Sequence, residues 1–321
     1  MILATLVFMA TQNPVALSGW VVQFNPNSLI SLEKNAPKLR HVLPEWIKCT
    51  VDGRAVRRDE FPWAGYLKAR DIAKKAGCKV FGMASNYLNE LGGFKASPVQ
   101  AFLYSANKRK AHVEAMVKIC VDDKLDGIDV DYESLESKDK DAYSRFMDEL
   151  GSALRKQGKL LSTAVHPKEE DKGNWDGPQA QDYRRLGKAA DFVRLMCYDY
   201  SWDTSEPGPI APLDWAERVV KYAASVIPPS KLEIGIPAYG YDWTKKPATS
   251  LTFPDWKDRS RALDPRSQEY VDGKSHFAGA ATVKPKQDLA RKYSIPALAM
   301  WYVGSEDPEM WKFIPARKKG S

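Results

Sequence analysis

The chain has 321 residues, of which 44% are hydrophobic and 28% charged. This composition is typical of a globular protein with a large buried core and excludes a disordered chain. No apolar run reaches the roughly 18 residues of a membrane-spanning helix, so we expect no integral membrane segment. The formal net charge is +7, but the basic residues form no stripe of the kind that marks nucleic-acid binding, so we expect no nucleic-acid partner.

The cysteines do not indicate a metal site. Cys49, Cys78, Cys120 and Cys197 are widely spaced, and none belongs to a Cys-x-x-Cys pair or another zinc-binding pattern. We therefore predict no bound metal. Their spacing leaves open whether two of them form a disulfide.

The beginning of the chain has an ambiguous pattern. Residues 1–17 are mostly apolar, as in the hydrophobic region of a secretory signal peptide, but no positively charged segment precedes them. We interpret them as either a leader or an N-terminal extension. At the other end, residues 317–321 are predicted to be a short basic tail in solvent.

Strand-like and helix-like segments alternate through the rest of the chain. The strands are predicted at residues 19–24, 39–46, 79–86, 125–133, 160–165, 192–198, 232–238 and 297–302. The helices are predicted at residues 31–36, 60–76, 104–121, 139–157, 181–189, 215–226, 284–293 and 307–313.

Eight strands that alternate with helices predict an α/β fold, a parallel sheet closed into a (β/α)8 TIM barrel. The predicted barrel spans residues 18–316. Residues 242–282 lack clear periodicity, so we expect an extended loop or a small insertion on the active face.

The stretch LDGIDVDYE at residues 125–133 is the strongest functional signal. Side chains alternate between the two faces of a strand, so Asp129, Asp131 and Glu133 share one face and apolar residues fill the other. Burying a row of like charges is costly unless a reaction needs them. A carboxyl group beside another carboxylate has a raised pKa, which suits Glu133, at the strand end, to be a general acid.

Polar or aromatic residues also follow other predicted strands, and in a barrel such residues meet on one rim. They are Asn86, His166, Tyr198 with Asp199, Tyr239 and Trp301. We assign no catalytic role to Asn86 or His166, which are lone polar residues. Asp126 is out of phase with the acidic row and is predicted to be structural.

The acidic stretch resembles the DxxDxDxE motif of the chitinase-like glycoside hydrolases of family 18, position by position from Asp126 to Glu133. Further pieces resemble that family in the same order: MCYD at 196–199, GIPAYG at 235–240 and Trp301.

The resemblance covers residues 18–304, and two segments make one branch of the family the most similar. The PGPIAP run at 207–212 and YGYDW at 239–243 look most like the bacterial branch that acts on peptidoglycan and spore-cortex fragments. Two features differ from that branch. It often has Asn where this chain has Asp129, and it often carries peptidoglycan-binding repeats, which this sequence lacks.

The resemblance implies a retaining hydrolysis of β-linked N-acetylglucosamine glycans without an enzyme nucleophile and without a cofactor. Glu133 would protonate the glycosidic oxygen while the substrate's acetamido oxygen attacks the anomeric carbon. Asp131 would stabilise the resulting oxazolinium, Asp129 would share a proton with Asp131, and Tyr198 would hydrogen-bond the acetamido group. The substrate-binding residues implied by the family are Met196, Asp199, Tyr239 and Trp301.

The partner expected is therefore an oligosaccharide or polysaccharide that contains N-acetylglucosamine. The protein is expected to be a monomer, secreted or in the cell envelope. The alternative function is that of a non-catalytic, lectin-like carbohydrate-binding protein on the same barrel. Non-catalytic relatives usually lack the acid at position 133, which this chain keeps.

Overall fold

Eight parallel strands form a closed barrel in residues 14–317, the part of the chain that the computed structural model describes. They are β1 (Ala16–Val21), β2 (Leu39–Cys49), β3 (Lys79–Ser85), β4 (Gly127–Asp131), β5 (Leu160–Val165), β6 (Phe192–Leu195), β7 (Leu232–Pro237) and β8 (Ala297–Val303). Each strand pairs with the next along the chain, and β8 pairs with β1, which closes the barrel. The predicted fold class is thus confirmed.

Helices follow the strands along the chain, and most of them cover the outside of the barrel. They are α1 (Asn27–Asn35), α2 (Trp63–Lys75), α3 (Ala96–Leu103), α4 (Ala106–Asp122), α5 (Lys140–Lys156), α6 (Asp176–Ala180), α7 (Tyr183–Ala189), α8 (Leu213–Val226), α9 (Phe253–Trp256) and α10 (Val283–Lys292). The predicted helix at 104–121 corresponds to α4, whose first turn is capped by the Ser105 hydroxyl, and α3 before it was not predicted. The predicted last helix is a 3₁₀ helix, Pro308–Phe313.

Several predicted strand boundaries were wrong. The acidic strand is regular only over Gly127–Asp131, so Glu133 lies two residues beyond it, and the second strand continues to Cys49. The first strand begins at Ala16 rather than at residue 19, so residues 16 and 17 belong to the barrel, and Phe24 is 53% exposed beyond the strand. The sixth strand ends at Leu195. The N–H groups of Cys197 and Tyr198 bond to carbonyls two residues earlier, which takes this segment out of the ladder. Residues 1–13 of the proposed leader lie outside the described residues.

The alternation of β4 divides apolar from acidic side chains as the sequence predicts. Ile128 and Val130 are fully buried in the layer between barrel and helices. Asp129 and Asp131 are on the other face, inside the barrel, and are also buried. Gly127 makes room for this interior, because a Cβ there would lie 2.7 Å from the Phe81 ring.

The segment after β7 is a small folded insertion rather than an extended loop. Its five short strands pair in an antiparallel sheet: Gly240–Asp242, Thr249–Leu251, Ala262–Leu263, Tyr270–Asp272 and Ser275–Phe277. Trp256 and Phe277 stack in its core, with ring centroids 5.6 Å apart. Gly273 has a φ of 59° in the hairpin turn that follows Asp272.

Within residues 14–317, no helix combines the length and apolar character needed to cross a membrane. All four cysteines are buried and free, so no disulfide joins any two of them. Arg317, the first residue of the predicted tail, contacts the barrel: its guanidinium donates to the carbonyls of Ala76 and Gly77 after α2.

Candidate active site

The acidic strand β4 brings its carboxylates to the carboxyl end of the barrel. Asp129 lies deepest and is fully buried, Asp131 is next and also buried, and the Glu133 side chain is 21% exposed. The row therefore runs from the barrel interior towards solvent. Asp126 is at the opposite end of the strand, where it accepts a hydrogen bond from the Val80 N–H at 2.8 Å. This contact agrees with a structural role for Asp126.

Asp129 is surrounded by donors from three other strands. The indole N–H of Trp20 on β1 donates to Oδ2 at 3.0 Å. The Ser162 hydroxyl on β5 and the Arg194 guanidinium on β6 both donate to Oδ1 at 2.6 Å. Both groups of the Asp129–Arg194 ion pair are fully buried. These contacts fix the Asp129 side chain at the base of the acidic row.

The carboxyl groups of Asp131 and Glu133 are coupled to each other. Burial raises the pKa of both, and the negative charge of Asp129 raises that of Asp131 further. The charges of Asp131 and Asp199 and the hydrogen bond between the Glu133 and Asp131 side chains add to the increase for Glu133. The two carboxyl groups therefore have a higher affinity for protons than exposed carboxyl groups have.

Asn86, at the end of β3, anchors the backbone of Glu133. Its side-chain oxygen accepts from the Glu133 N–H at 2.8 Å, and its amide donates to the Glu133 carbonyl at 2.9 Å. The same amide donates to the Lys95 carbonyl at 2.7 Å. The sequence pointed to Asn86 as a strand-end residue. Its reciprocal contact with Glu133 could not be derived, because it depends on the path of the backbone after β4.

His166 and Trp175 border Glu133 on a second side. His166 Nε2 lies 3.6 Å from Glu133 Oε2. Burial lowers the pKa of His166 to about 4, so the imidazole is neutral. Trp175 packs against His166, with ring centroids 4.6 Å apart, and is 46% exposed. Sequence reasoning missed Trp175 because it lies in a polar loop without periodicity.

Met196 and Tyr198 follow β6 and face the interior of the mouth, where both are buried. The charges of Asp131 and Glu133 contribute, after burial, to a raised pKa of the Tyr198 phenol, which stays protonated. Gly235 on the neighbouring β7 is required here. A Cβ at that position would lie 3.0 Å from the Tyr198 ring and 2.3 Å from the Leu195 carbonyl oxygen.

Asp199 and Tyr239 contact each other across the mouth. The Tyr239 hydroxyl donates to Asp199 Oδ1 at 2.5 Å, and the Tyr241 hydroxyl donates to the same oxygen at 3.2 Å. Asp199 has a φ of 56°, a left-handed conformation that turns the chain after Tyr198. The structure thus brings together residues from the ends of β6 and β7.

Trp301 lies near the end of β8 and is partly buried. Its ring contacts Trp20 edge-on, with centroids 5.9 Å apart. Because Trp20 bonds Asp129, this indole pair connects the β8 side of the mouth to the base of the acidic row. In residues 14–317, no group of three or more His, Cys, Asp or Glu side chains is arranged to hold a metal ion.

A (β/α)8 barrel with two adjacent carboxyl groups of raised pKa, in a mouth lined with aromatic rings, has the architecture of a glycosidase. The chain belongs to the glycosyl hydrolases of family 18, whose family model matches residues 28–313. The resemblance seen in the sequence is confirmed.

Similarity to individual proteins agrees with this family. The chain is 26% identical to the uncharacterized glycosylase YvbX of Bacillus subtilis over 97% of this chain and 95% of that protein. It is 28% identical to the cortical fragment-lytic enzyme of B. subtilis, over 58% of this chain and 48% of that enzyme. A chitinase structure from Chromobacterium violaceum superposes with a TM-score of 0.83 at 23% identity, over 94% of this chain and 98% of that chain.

Proposed function

We propose that the protein hydrolyses β-linked glycans containing N-acetylglucosamine, with retention of configuration and with the substrate's acetamido group as nucleophile. The observation that carries this proposal is the Asp131–Glu133 pair at the barrel mouth, where burial and neighbouring charges raise the pKa of both carboxyl groups. Such a pair supplies both an acid for the leaving group and an anion beneath a developing cation.

In the proposed first step, Glu133 gives its proton to the glycosidic oxygen, and the bond between that oxygen and the anomeric carbon breaks. The acetamido carbonyl oxygen forms the new bond to the anomeric carbon, which produces a positively charged oxazolinium. Asp131 accepts a hydrogen bond from the acetamido N–H and stabilises that charge. In the second step Glu133 takes a proton from water, and the water oxygen bonds to the anomeric carbon. The bond between that carbon and the acetamido oxygen breaks, which restores the neutral acetamido group.

The other residues of the mouth have roles in binding. Tyr198 donates a hydrogen bond to the acetamido group, and Trp301 forms the floor of the sugar subsite, because aromatic faces pack against the apolar face of a sugar ring. Met196, Asp199 and Tyr239 line the same subsite. The buried position of Tyr198 and its raised pKa support its role, since a donor must keep its proton.

The substrate class is proposed as peptidoglycan fragments or chitin oligomers. A relative at 28% identity is named a cortical fragment-lytic enzyme, which supports the first. Asp129 in place of Asn supports the second. The chain spans about half the length of that relative, so the activity of the relative as a whole is not transferred to this protein.

Mass spectrometry of the products from a panel of chitin oligomers, muropeptides and glycopeptides tests the proposal. We expect cleavage of at least one N-acetylglucosamine substrate, no cleavage of the matched glucose oligomer, and inhibition by a thiazoline analogue of the oxazolinium. Cleavage of glucose oligomers at an equal rate would contradict substrate assistance, because those sugars have no acetamido oxygen.

Cell-envelope or extracellular location and a monomeric state are also proposed. The location follows from the proposed substrates, which are polymers of cell walls. Fractionation of the source cells tests the location, and light scattering coupled to size-exclusion chromatography tests the oligomeric state.

A further inference from the structure

The segment between β5 and α7, residues 166–182, forms one wall of the mouth beside Glu133. His166 begins this segment, and its Nε2 lies 3.6 Å from Glu133 Oε2. The backbone of His166 is fixed, because its N–H donates to Gln181 Oε1 at 2.7 Å and its carbonyl accepts from the Tyr183 hydroxyl at 2.6 Å. Nε2 is buried and has no hydrogen-bond partner among the described residues. The wall therefore presents an unpaired polar atom next to the proposed general acid.

Trp175 lies in the same segment and keeps an exposed ring. The indole packs edge-on against His166, with ring centroids 4.6 Å apart. Gly177 leaves room for both rings, because a Cβ there would lie 2.3 Å from the indole and 2.9 Å from the imidazole. Even so, Trp175 is 46% exposed. A tryptophan that is held in place and still exposed beside a reactive group is typical of a binding surface.

A buried cation anchors this segment. Lys168 Nζ donates to three backbone carbonyls, those of Asp171 at 2.9 Å, Pro178 at 3.3 Å and Gln181 at 2.7 Å. These bonds use all three N–H donors of the fully buried ammonium group, and burying a charge without such partners would be costly. The carbonyls come from both sides of Trp175 along the chain, so the indole is held in position before a substrate binds. Such preorganisation reduces the cost of binding.

The position of this wall relative to Glu133 indicates which part of a substrate reaches it. In the proposed reaction, Asp131 and Tyr198 bind the acetamido group of the sugar that is attacked, and Glu133 protonates the glycosidic oxygen. The leaving sugar is bonded to that oxygen and therefore lies beside the Glu133 carboxyl group. His166 and Trp175 border this carboxyl group and take no part in binding the acetamido group.

We infer that Trp175 and His166 bind the leaving-group sugar and make cleavage selective for a sugar on that side of the bond. The inference rests on the proposed function, because it assigns both residues to the same hydrolysis. The Trp175 indole packs against the apolar face of the leaving sugar, which removes apolar surface from water. His166 Nε2 forms a hydrogen bond with a hydroxyl group of that sugar. Burial lowers the pKa of His166 to about 4, so the ring is neutral and Nε2 donates or accepts according to its tautomer.

Two substrates with the same kind of attacked sugar and different leaving groups test this role. One is the β-linked N-acetylglucosamine tetrasaccharide, and the other is the β-fluoride of the N-acetylglucosamine disaccharide, whose leaving group is a single atom. For Trp175→Ala we expect kcat/KM on the tetrasaccharide to fall by about tenfold or more, because a contact with the leaving sugar is lost. The value of kcat/KM for fluoride release should fall much less, because fluoride needs no such contact.

Two further variants separate binding of the leaving sugar from damage to the fold. His166→Phe keeps a ring against Trp175 but removes Nε2, so it should lower kcat/KM on the tetrasaccharide by about 2–10-fold and affect fluoride release less. Trp202→Ala is the matched control for Trp175→Ala. Trp202 is 49% exposed in the segment after β6, and its indole N–H donates to Thr204. This variant should retain wild-type rates on both substrates.

The possible results separate this inference from the proposed function. If the wild type is active and Trp175→Ala loses equally on both substrates, or loses nothing on the tetrasaccharide, the role of Trp175 is overturned. A wild-type rate of His166→Phe on the tetrasaccharide would overturn the hydrogen bond assigned to His166. A wild type that releases neither sugar nor fluoride would refute the proposed function itself, and with it the assignment of a leaving-group site.

Discussion

Glu133 is positioned through its backbone as well as through its carboxyl group. The Asn86 side chain hydrogen-bonds both the N–H and the carbonyl of Glu133. These contacts set the direction in which the Glu133 side chain leaves the end of β4. A displacement of about 1 Å at a catalytic group can cost on the order of 10²-fold in rate. At the scale of single residues, catalysis should therefore depend on Asn86 through the backbone of Glu133.

The substitution Asn86→Ala tests this dependence. It leaves the Glu133 N–H and carbonyl without partners in a buried site, so we expect kcat to fall by roughly 10–100-fold. The free energy of unfolding should fall by about 1–3 kcal/mol. Steady-state kinetics and urea unfolding measure the two effects. Asn89→Ala, at an exposed position three residues away, should change neither, and equal losses in both variants would contradict the role.

The raised pKa of Glu133 also leads us to predict how the free energy of unfolding depends on pH. Burial is the largest cause, followed by the charges of Asp131 and Asp199. A carboxyl group with a raised folded-state pKa stabilises the fold fully below its unfolded-state pKa, and that contribution is lost as pH rises through the folded-state pKa. Glu133→Gln cannot ionise, so it should be more stable than the wild type at neutral and alkaline pH, but not in acid.

Chemical denaturation across a pH series measures this difference. The gap in unfolding free energy between Glu133→Gln and the wild type should close as pH falls below the ordinary glutamate range. Glu90→Gln, at an exposed position, should show no such pH dependence. A Glu133→Gln variant that is less stable than the wild type at alkaline pH would refute the proposed burial of the acid.

At the scale of elements, the insertion after β7 supports the mouth through one buried side chain. Glu269 accepts from the N–H groups of Ile210 and Ala211 at 2.9 and 2.7 Å. The Ile210 carbonyl in turn accepts from the Tyr200 N–H at 2.9 Å. The insertion therefore anchors the PGPIAP loop, and that loop holds the segment just after Tyr198 and Asp199.

The substitution Glu269→Gln should release this loop. A glutamine presents one acceptor to two N–H donors, so one buried donor is left unpaired, and the free energy of unfolding should fall by about 1–3 kcal/mol. Hydrogen exchange at the Ile210 and Ala211 amides should accelerate. Glu206→Gln, an exposed position in the same region, is the control. Unchanged exchange at both amides in Glu269→Gln would show that the insertion does not anchor the loop.

The elements also show what the sequence could and could not predict. Alternation in β4 predicted which residues face the barrel interior, because that rule is local. Glu269 lies 59 positions from Ile210 and 58 positions from Ala211 along the chain. No local sequence pattern encodes contacts over such separations. The turn residues Asp272-Gly273 were the available signal for the insertion's hairpin, but its strands are too short for periodicity to identify.

At the scale of the whole molecule, the alternation of strands and helices was sufficient to predict the barrel, since parallel strands with helical crossovers have few ways to close. The positions of Glu133, Asp131, Tyr198 and Trp301 at one mouth followed from that topology. The contact between Asp129 and Arg194 did not, because Arg194 is an interior side chain of β6, two strands along the barrel from β4. A charged residue in an apolar strand was the one visible hint.

The central claim is that Glu133 is the general acid of a family 18 hydrolase. The most direct test compares the wild type with Glu133→Gln on an N-acetylglucosamine oligomer, with turnover followed by mass spectrometry and affinity by calorimetry. A general acid contributes about 10²–10⁴-fold, so turnover should fall by at least that factor while the oligomer still binds. Full activity of Glu133→Gln on the same oligomer would contradict the claim.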